Sequence, residues 1–339
     1  MKENLSQQPG MAAETDTNRV QNLIKTLLKV AFAVGLITWM IYEGALDFAA
    51  FKKVGSPALI SLCAALVFGQ VFLNNFRWLV LMRGLGFRSS VRETMPLTLI
   101  GLFFNFVMPG GVGGDVVKGY YLLQDHRDRK LAAVVSIFMD RIMGFFMMVA
   151  TAFFALFLSW DKVNTIPQLK SIALGVTVFF LAFLFFFALS LSRRVGRADF
   201  FFNRVPGGEK IKKVYEALHT YRGSKRSLLV AATLSLLGQL LIVLLVYVVG
   251  QALGVDQVPL SMYFFLVPVG SVVQALPLSP AGIGVGQAAF YFLFNLYLGF
   301  ESPIGPTAVT LMQVLSFGWG LFGAFFYLRR KKPNAVPIA

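Results

Sequence analysis

Long apolar runs constrain this chain more than any other feature, because about 18 or more consecutive apolar residues predict a helix that crosses a bilayer. Two stretches of the sequence, 96–124 and 260–299, are apolar but interrupted near the middle by proline and glycine. The uninterrupted runs lie at about 24–42, 57–76, 131–158, 171–191, 228–250 and 307–328. We therefore expect an all-α polytopic membrane protein with about six full spans.

The residue composition agrees with a membrane protein, since 57% of the residues are hydrophobic and 14% are charged. A soluble protein has about 25% charged residues. An outer-membrane barrel needs alternating segments of about ten residues, and the sequence contains no such pattern. Cys63 is the single cysteine, and the two histidines lie far apart in polar loops. We therefore predict neither a metal site nor a bound cofactor.

The formal charge of +15, from 31 Lys and Arg against 16 Asp and Glu, would favour a nucleic-acid partner in a soluble protein. Here the basic residues cluster in loops between apolar runs, as the positive-inside rule describes. No stacking aromatic residues alternate with these basic clusters. The charge therefore predicts membrane orientation, and we expect no nucleic-acid partner.

The two proline-glycine breaks resemble each other. Pro109-Gly-Gly-Val-Gly113 aligns with Pro280-Ala-Gly-Ile-Gly284 at an offset of 171 residues. Paired hydrophobic segments of this kind, broken at corresponding places in two halves, are typical of the substrate site of a transporter. The same offset places the run 57–76 on 228–247 and the run 131–158 on 302–329. The chain is therefore predicted to hold two repeats, A at 23–158 and B at 171–328.

Loop charges predict how each broken segment enters the membrane. Basic residues lie on both sides of 96–124, at Arg77, Arg83, Arg88 and Arg92 and again at Arg127, Arg129 and Lys130. Both loops are therefore cytoplasmic, and the segment between them must return to the side it entered from. Residues 95–108 also form only about 21 Å of helix, less than the hydrocarbon core of about 30 Å.

The second half gives the opposite orientation. The loops around Asp256 and Glu301 contain no Lys or Arg, which predicts that they are periplasmic and that 260–299 returns to that side. Each repeat would then hold one re-entrant helical hairpin, inserted from opposite faces. The sequence thus predicts an inverted-topology repeat.

The remaining segments are predicted to be cytoplasmic. Residues 1–22 are polar and form a disordered tail, without the pattern of a secretory signal. The loop 192–227 holds ten Lys and Arg against three Asp and Glu. The tail 329–339 begins with four basic residues, Arg329, Arg330, Lys331 and Lys332. Both termini therefore lie inside.

Asp140 and Arg141 are the charged residues most deeply placed in an apolar run. They lie about ten residues into a helix that starts near 131, which is about 15 Å along its axis. A charge at that depth is costly, so it marks a functional site by default. The alternative is that both residues have structural roles. Asp140 would then anchor a glycine-rich loop, and the charge of Arg141 would balance the neighbouring half of the protein. Adjacent helical residues point about 100° apart, so the two need not pair.

The first break combines glycines with charges. Four glycines free the backbone for close approach of a ligand: Gly110, Gly111, Gly113 and Gly114. Asp115 and Lys118 follow in the restarting helix, whose N-terminal amides attract anions. Asp115 either contributes to such a site or caps these amides itself. Arg77, beside Trp78, either clamps a phosphate or anchors the helix at the membrane interface.

The second break is neutral. Its candidate site residues are Ser279, Pro280, Gly282, Gly284 and Gln287. The glycine spacing here looks like a dinucleotide loop but lacks the preceding strand and the acidic partner. Ser279 has no His or Asp partner for nucleophilic catalysis. We therefore predict no catalytic residue, and we expect the headgroup of a substrate to bind at the charged first break.

At these residues the chain resembles the flippase-like family that includes the transmembrane part of lysylphosphatidylglycerol synthase. The resemblance covers about 23–328 and rests on four motifs: Asn75-Phe-Arg-Trp78, Pro109-Gly-Gly-Val-Gly-Gly-Asp115, Asp140-Arg-Ile-Met-Gly144 and Pro277-Leu-Ser-Pro-Ala-Gly-Ile-Gly284. The family usually has Arg where this chain has Lys118, and often Glu where it has Gln287. Seven residues follow Lys332, so the resemblance implies lipid translocation and not lipid aminoacylation.

These observations predict a non-enzymatic transporter of the bacterial inner membrane that moves an anionic phospholipid or a lipid-linked substrate between leaflets. Its partners would be membrane lipids, and its oligomeric state is open. Two alternatives remain: a membrane-embedded enzyme that modifies a lipid headgroup, and a scaffold that recruits an envelope-lipid biosynthetic enzyme through the basic loop.

Overall fold

The computed structural model of the protein describes residues 52–108, 112–191 and 219–330, together with the isolated positions 31, 35 and 38. Several predictions lie outside these described residues. They concern the tail 1–22, the first span at 24–42, most of the basic loop 192–227, the glycines Gly110 and Gly111, and all but the first two residues of the tail 329–339.

All regular elements among the described residues are helical, which confirms the predicted all-α class. Nine α-helices follow one another in these ranges: α1 Pro57–Gly84, α2 Val91–Val107, α3 Gly113–Asp125, α4 Lys130–Val163, α5 Pro167–Leu191, α6 Lys225–Ala252, α7 Leu260–Gln274, α8 Val285–Leu298 and α9 Ile304–Arg329. Short 3₁₀ turns lie at Arg127–Arg129, Tyr221–Gly223 and Pro280–Gly282.

Six stretches of the described residues are long and apolar enough to cross a membrane, which confirms a multi-pass membrane protein. Five of them correspond to predicted spans: Pro57–Gly84, Lys130–Val163, Pro167–Ala188, Lys225–Ala252 and Ile304–Arg329. The sixth, Pro280–Leu298, lies within the second predicted hairpin. Because it consists of a 3₁₀ turn followed by the 14-residue helix α8, the re-entrant course of 260–299 stays a prediction.

Local sequence signals place the helix starts. Helix α1 begins with Pro57 after the cap Ser56, whose Oγ accepts from the Leu59 amide at 3.3 Å. Helix α2 begins with a capping box in which the Ser90 amide donates to Glu93 Oε2 at 3.1 Å. This start lies four residues before the predicted one, so α2 is about 26 Å long. It still falls short of a core of about 30 Å.

The two halves repeat the same order of helices. An offset of 171 residues places α1, α2, α3 and α4 on α6, α7, α8 and α9. Their packing repeats as well, because α2 packs on α9 while α7 packs on α4. Gly320 of α9 lies against Phe103 of α2, and Val272 of α7 packs on the cluster that contains Val149 of α4. With the offset of 171, Val149 of α4 corresponds to Gly320 of α9, and Phe103 of α2 corresponds to a position two residues from Val272 of α7. The two contacts are therefore nearly equivalent.

The corresponding helices α1 and α6 pack closely and run antiparallel. Gly84, at the end of α1, lies beside Ser227 at the start of α6, whereas Gly69 lies beside Leu241 further along. Two corresponding helices must run in opposite directions if the halves insert with opposite topology. This pair meets that requirement, and the complete inverted repeat with its two hairpins stays a prediction.

The main core forms where helices of both halves converge, and small residues allow this close packing. Phe290 of α8 is fully buried between two glycines. A Cβ atom added to Gly270 would lie 2.4 Å from the Phe290 ring, and one added to Gly305 would lie 2.5 Å from the Phe290 backbone. In contrast, α5 leaves many large apolar side chains exposed, as a lipid-facing helix does.

Candidate functional site

A cavity of about 600 Å³ lies between the helices of the two halves. Its walls come from α1 to α4 of the first half and from α6, α7 and α9 of the second, with one residue from α5. Five ionisable side chains line it: Arg77, Asp115, Lys118, Asp140 and Arg141. All five were candidate site residues from the sequence. Their formal charges sum to +1.

Arg77 connects three helices at the centre of this charged group. Its Nε donates to Asp140 Oδ1 at 2.7 Å, and its Nη1 donates to Ser235 Oγ at 3.3 Å. The Arg77 and Asp140 side chains are only 11% and 13% exposed. Gly144 leaves room for the guanidinium, since a Cβ there would lie 3.0 Å from Arg77 Nη1. Burial of Asp140 is therefore compensated by an ion pair that also fixes α1 against α4 and α6.

Lys118 is the second cation beside Asp140. Its Nζ lies 3.8 Å from Asp140 Oδ2 and 3.6 Å from the centre of the Trp78 ring. The Trp78 indole in turn donates to Ser136 Oγ at 3.3 Å. Only 7% of the Lys118 side chain is exposed. The ammonium is thus held by one carboxylate and one aromatic face, an arrangement that stabilises a buried cation.

Arg141 and Asp115 form a second ion pair that is more exposed than the first. The Arg141 Nε donates to Asp115 Oδ2, and the two side chains are 40% and 24% exposed. Asp140 and Arg141 therefore pair with different partners and not with each other. The residue before α3 is Val112, without a side-chain cap. Of the two predicted roles of Asp115, the structure shows its carboxylate engaged with a side chain of the cavity.

The glycines of the first break that are described serve close backbone packing. Gly114 donates its amide to Asn105 Oδ1 at 3.0 Å, and a Cβ on it would lie 1.9 Å from the Gly101 carbonyl oxygen. A Cβ on Gly113 would lie 2.2 Å from that of Met108. Neither Gly113 nor Gly114 lines the cavity. Both allow α3 to return directly against α2.

The second break is shaped by left-handed glycines. Gly282 and Gly284 have φ values of 70° and 80°, which residues with a side chain rarely adopt. Gly282 lines the cavity, whereas Ser279, Pro280 and Gly284 do not. Ser279 is fully buried, and its hydroxyl has no hydrogen-bond partner among the described residues. Most of these candidate residues therefore build the turn.

Gln287 also stabilises this turn from outside the cavity lining. It is 2% exposed. Its Oε1 accepts from the Gly284 amide at 2.8 Å, and its Nε2 donates to Gln313 Oε1 at 2.8 Å. Gln313 then donates to the Ala281 carbonyl at 3.3 Å. The position that often holds Glu in the resembled family is thus part of an amide network in this protein.

Sequence reasoning missed the uncharged part of the cavity. Its amide side chains come from Gln70, Asn74, Asn105, Gln239, Gln274 and Gln313. One signal was present in α1, where Gln70 and Asn74 precede Arg77 by seven and three residues. That spacing places all three on one helix face. The amides of α6, α7 and α9 carry no such link to a charged residue.

Comparison with known proteins places the chain in a family. Residues 26–323 match the model of the lysylphosphatidylglycerol synthase TM region. The chain belongs to this family. No solved structure matches it significantly.

Similar curated proteins come from three organisms. A UPF0104 membrane protein of Methanothermobacter thermautotrophicus is 22% identical over 310 residues, which is 86% of this chain and 90% of the relative. Another, from Methanocaldococcus jannaschii, is 26% identical over 67% of this chain and 93% of the relative. Glycosyltransferase AglD of Haloferax volcanii is 25% identical over 88% of this chain and 52% of that protein. The chain thus spans about half the length of the glycosyltransferase.

Proposed function

We propose that this family member is a lipid transporter of the bacterial inner membrane, with both termini cytoplasmic. It moves an anionic phospholipid or a lipid-linked anionic substrate between the leaflets. The observation that carries this proposal is a cavity inside a multi-pass membrane protein, lined by three cations and two carboxylates. Membrane-embedded ionisable residues typically mark a substrate pathway, and the excess cation favours an anionic headgroup.

Arg141 is the cation that an entering phosphate meets first, because it is the most exposed of the three. A phosphate competes with Asp115 for the guanidinium, whose fork binds phosphate oxygens in a bidentate manner. Arg77 and Lys118 lie deeper and share Asp140. The headgroup therefore passes from a partly open ion pair to a buried one.

The acyl chains of such a lipid require an apolar path beside the charged site. Phe145 and Met148 of α4 and Phe183 of α5 form an apolar wall of the same cavity. The charged residues and this wall lie on neighbouring helices, since Asp140 and Arg141 also belong to α4. A lipid then keeps its headgroup at the ion pairs while its chains remain in contact with apolar side chains.

Alternating access is proposed to arise from movement of one half against the other. The repeated order of helices, the exchanged packing of α2 on α9 and α7 on α4, and the antiparallel pair α1 and α6 support an inverted repeat. In transporters with this architecture, one repeat rocks against the other around a central site. The cavity lies at the junction of the two halves, where such movement changes access most.

A leaflet-exchange assay tests the proposal. The purified protein in proteoliposomes should move a fluorescent phosphatidylglycerol between leaflets, and Arg141→Ala should slow this at least about tenfold, because one charge-assisted hydrogen bond is worth about 1.5–3 kcal/mol. Arg88→Ala is the matched control, since Arg88 is exposed and does not line the cavity. Equal rates for wild type and Arg141→Ala, or no exchange of any anionic lipid, would contradict the proposal.

The same preparation separates the two alternative functions. The similarity to a glycosyltransferase of Haloferax volcanii is the reason to test for an enzymatic function. Mass spectrometry of the vesicle lipids after incubation with cell extract would reveal an altered headgroup if the protein is a lipid-modifying enzyme. A stable complex with an envelope-lipid enzyme, without exchange or modification, would favour the scaffold.

A further inference from the structure

The cavity extends beyond the ion pairs into a part lined by uncharged amides. We call this part the amide region and define it by Gln70, Asn74, Gln239 and Gln274. Its residues come from α1 of the first half and from α6 and α7 of the second. The proposed anion site leaves this region without a role.

The amide region and the cations lie at different positions along the same two helices. On α1, Gln70 lies about 10 Å from Arg77 along the axis, at about 1.5 Å per residue. On α6, Ser235 contacts Arg77, while a Cβ added to Gly238 would lie 3.8 Å from Asn74 Oδ1 and 4.0 Å from Gln70 Cγ. On α1 the cavity lining therefore runs from the cation Arg77 through Asn74 to Gln70, so the amide region begins directly beside the cations.

The side chain of Gln239 provides independent evidence that a ligand binds in the amide region. It is only 6% exposed, it lines the cavity, and its Nε2 has no hydrogen-bond partner among the described residues. A buried amide donor without a partner costs stability. Natural proteins retain such groups rarely and usually for a reason. A ligand acceptor in the amide region would satisfy this donor.

The chemistry of these side chains favours hydroxyl groups. An amide offers both a donor and an acceptor, and so does a hydroxyl, whereas an ammonium only donates. The cavity carboxylates Asp115 and Asp140 are each already paired with an arginine. An ammonium headgroup therefore finds excess positive charge and no uncommitted carboxylate among the described lining residues.

We infer that the amide region binds a hydroxyl-rich group, a polyol or a sugar, carried on the phosphate that the cations hold. This inference rests on the proposed function for the position of the phosphate. The substrate class is then a phosphate ester lipid with a hydroxylated headgroup. Bare phosphate lipids and aminated headgroups bind less tightly.

Binding affinities measured by native mass spectrometry of the full chain test this inference. Phosphatidic acid, phosphatidylethanolamine and phosphatidylinositol with identical acyl chains form one comparison, and a polyprenyl phosphate with and without one sugar forms the other. We expect the hydroxylated member of at least one comparison to bind about tenfold more tightly, in line with the loss expected when buried polar groups stay unpaired. A preference in the first comparison identifies the substrate as a phospholipid, and a preference in the second identifies it as a polyprenyl-linked lipid. Equal affinities in both comparisons overturn the inference.

Gln239→Leu assigns the preference to the amide region. It removes an unpartnered amide, so the fold should persist, while the tenfold preference should disappear and the affinity for phosphatidic acid should stay within about twofold. The control is Gln251→Leu on the same helix, at an exposed position. Gln70→Leu gives a second measurement on α1. A preference that persists in both cavity variants overturns the inference.

Leaflet exchange of phosphatidic acid, measured in parallel, separates this inference from the proposed function. Exchange without any preference for hydroxylated lipids overturns only the amide-region assignment. A binding preference without exchange of any lipid overturns transport and leaves the binding site in place.

Discussion

The two proline-glycine breaks occupy equivalent places in the chain but are stabilised by different means. The first is followed by charged residues, and its helices meet through backbone atoms at Gly101 and Gly114. The second is neutral, and side-chain amides of Gln287 and Gln313 hold its turn. The two breaks therefore share a proline-glycine pattern while different contacts hold them in place.

The difference extends into the cavity that the halves share. The first half contributes all five ionisable side chains. The second half contributes Ser235, Gln239, Gln274 and Gln313 but no charged residue among those described. Among the described residues, the ionisable side chains of the cavity thus come from the first half, and the second half adds neutral polar ones. The following experiments measure how much the contacts of each half contribute.

The largest effect is expected when the buried ion pair of the first half is broken. Among the described residues, Arg77→Met leaves Asp140 with the Lys118 ammonium at 3.8 Å as its remaining ion-pair partner. Removing one partner of a buried pair costs about 3–5 kcal/mol of unfolding free energy. Denaturation in mixed micelles measures this loss. The double variant Arg77→Met with Asp140→Leu should lose less than the two single variants together, because both break the same ion pair. A loss equal to the sum of both single variants would show that the two residues act independently.

A second test compares the two breaks through their glycines. Gly114→Ala places a Cβ 1.9 Å from the Gly101 carbonyl oxygen, whereas Gly286→Ala meets side-chain atoms of Gln274 at 3.0 Å. Backbone cannot move aside as a side chain can, so Gly114→Ala should cost about 1–3 kcal/mol or more and Gly286→Ala clearly less. Melting temperatures in detergent give the order. A larger loss for Gly286→Ala would show that the second break is the more tightly packed one.

The amide network of the second break should contribute a smaller amount. Gln287→Leu leaves the Gly284 amide and Gln313 Oε1 without their partner. An unsatisfied buried polar group costs about 1–3 kcal/mol, and water that enters the cavity would reduce this. Hydrogen exchange at the Gly284 amide should accelerate more than at the Gly114 amide, which Asn105 holds. Unchanged exchange at Gly284 would mean that the turn holds without Gln287.

The smallest effect is expected at the end of α3, where Asp125 meets Arg330. Arg330 Nη2 contacts Asp125 Oδ1 at 2.7 Å, and the Arg330 guanidinium lies 4.5 Å from the centre of the Tyr121 ring. The ion pair is partly exposed, so solvent screening should limit the loss in Asp125→Ala to below about 1 kcal/mol. The difference in melting temperature between wild type and variant should be smaller at high salt than at low salt. A loss that is independent of salt would indicate packing and not charge as its cause.

Much of the helical fold could be predicted from the sequence because hydropathy reports directly on the bilayer, whereas the orientation that loop charge indicates stays a prediction. The predicted spans 57–76, 131–158 and 228–250 correspond to α1, α4 and α6. Helix ends were less accurate, since α1 continues to Gly84 past Arg77 and Arg83, whose charges had assigned this stretch to a loop. Hydropathy also cannot distinguish a short spanning helix from a re-entrant one in 260–299.

The charged half of the site was also predictable, because an ionisable residue within an apolar run is visible in the sequence. The pairing was not: Arg77 and Asp140 are 63 residues apart, and their contact depends on how α1 packs on α4. Uncharged amides were harder still. A lone Gln in a span can face lipid, a neighbouring helix or a cavity. Gln239 lines the cavity because of how α6 packs against α1, which the sequence does not show.

The formal charge of the ionisable group has an electrical consequence. With three cations and two carboxylates, the empty cavity carries +1, and one singly charged phosphate brings it to zero. A membrane potential exerts about 2.3 kcal/mol per elementary charge per 100 mV across its full depth. Under the proposed transport function, the potential should therefore act on the return of the unloaded protein far more than on the movement of the lipid-loaded one. Voltage would then change the rate of the unloaded step when the lipid is a monoanion.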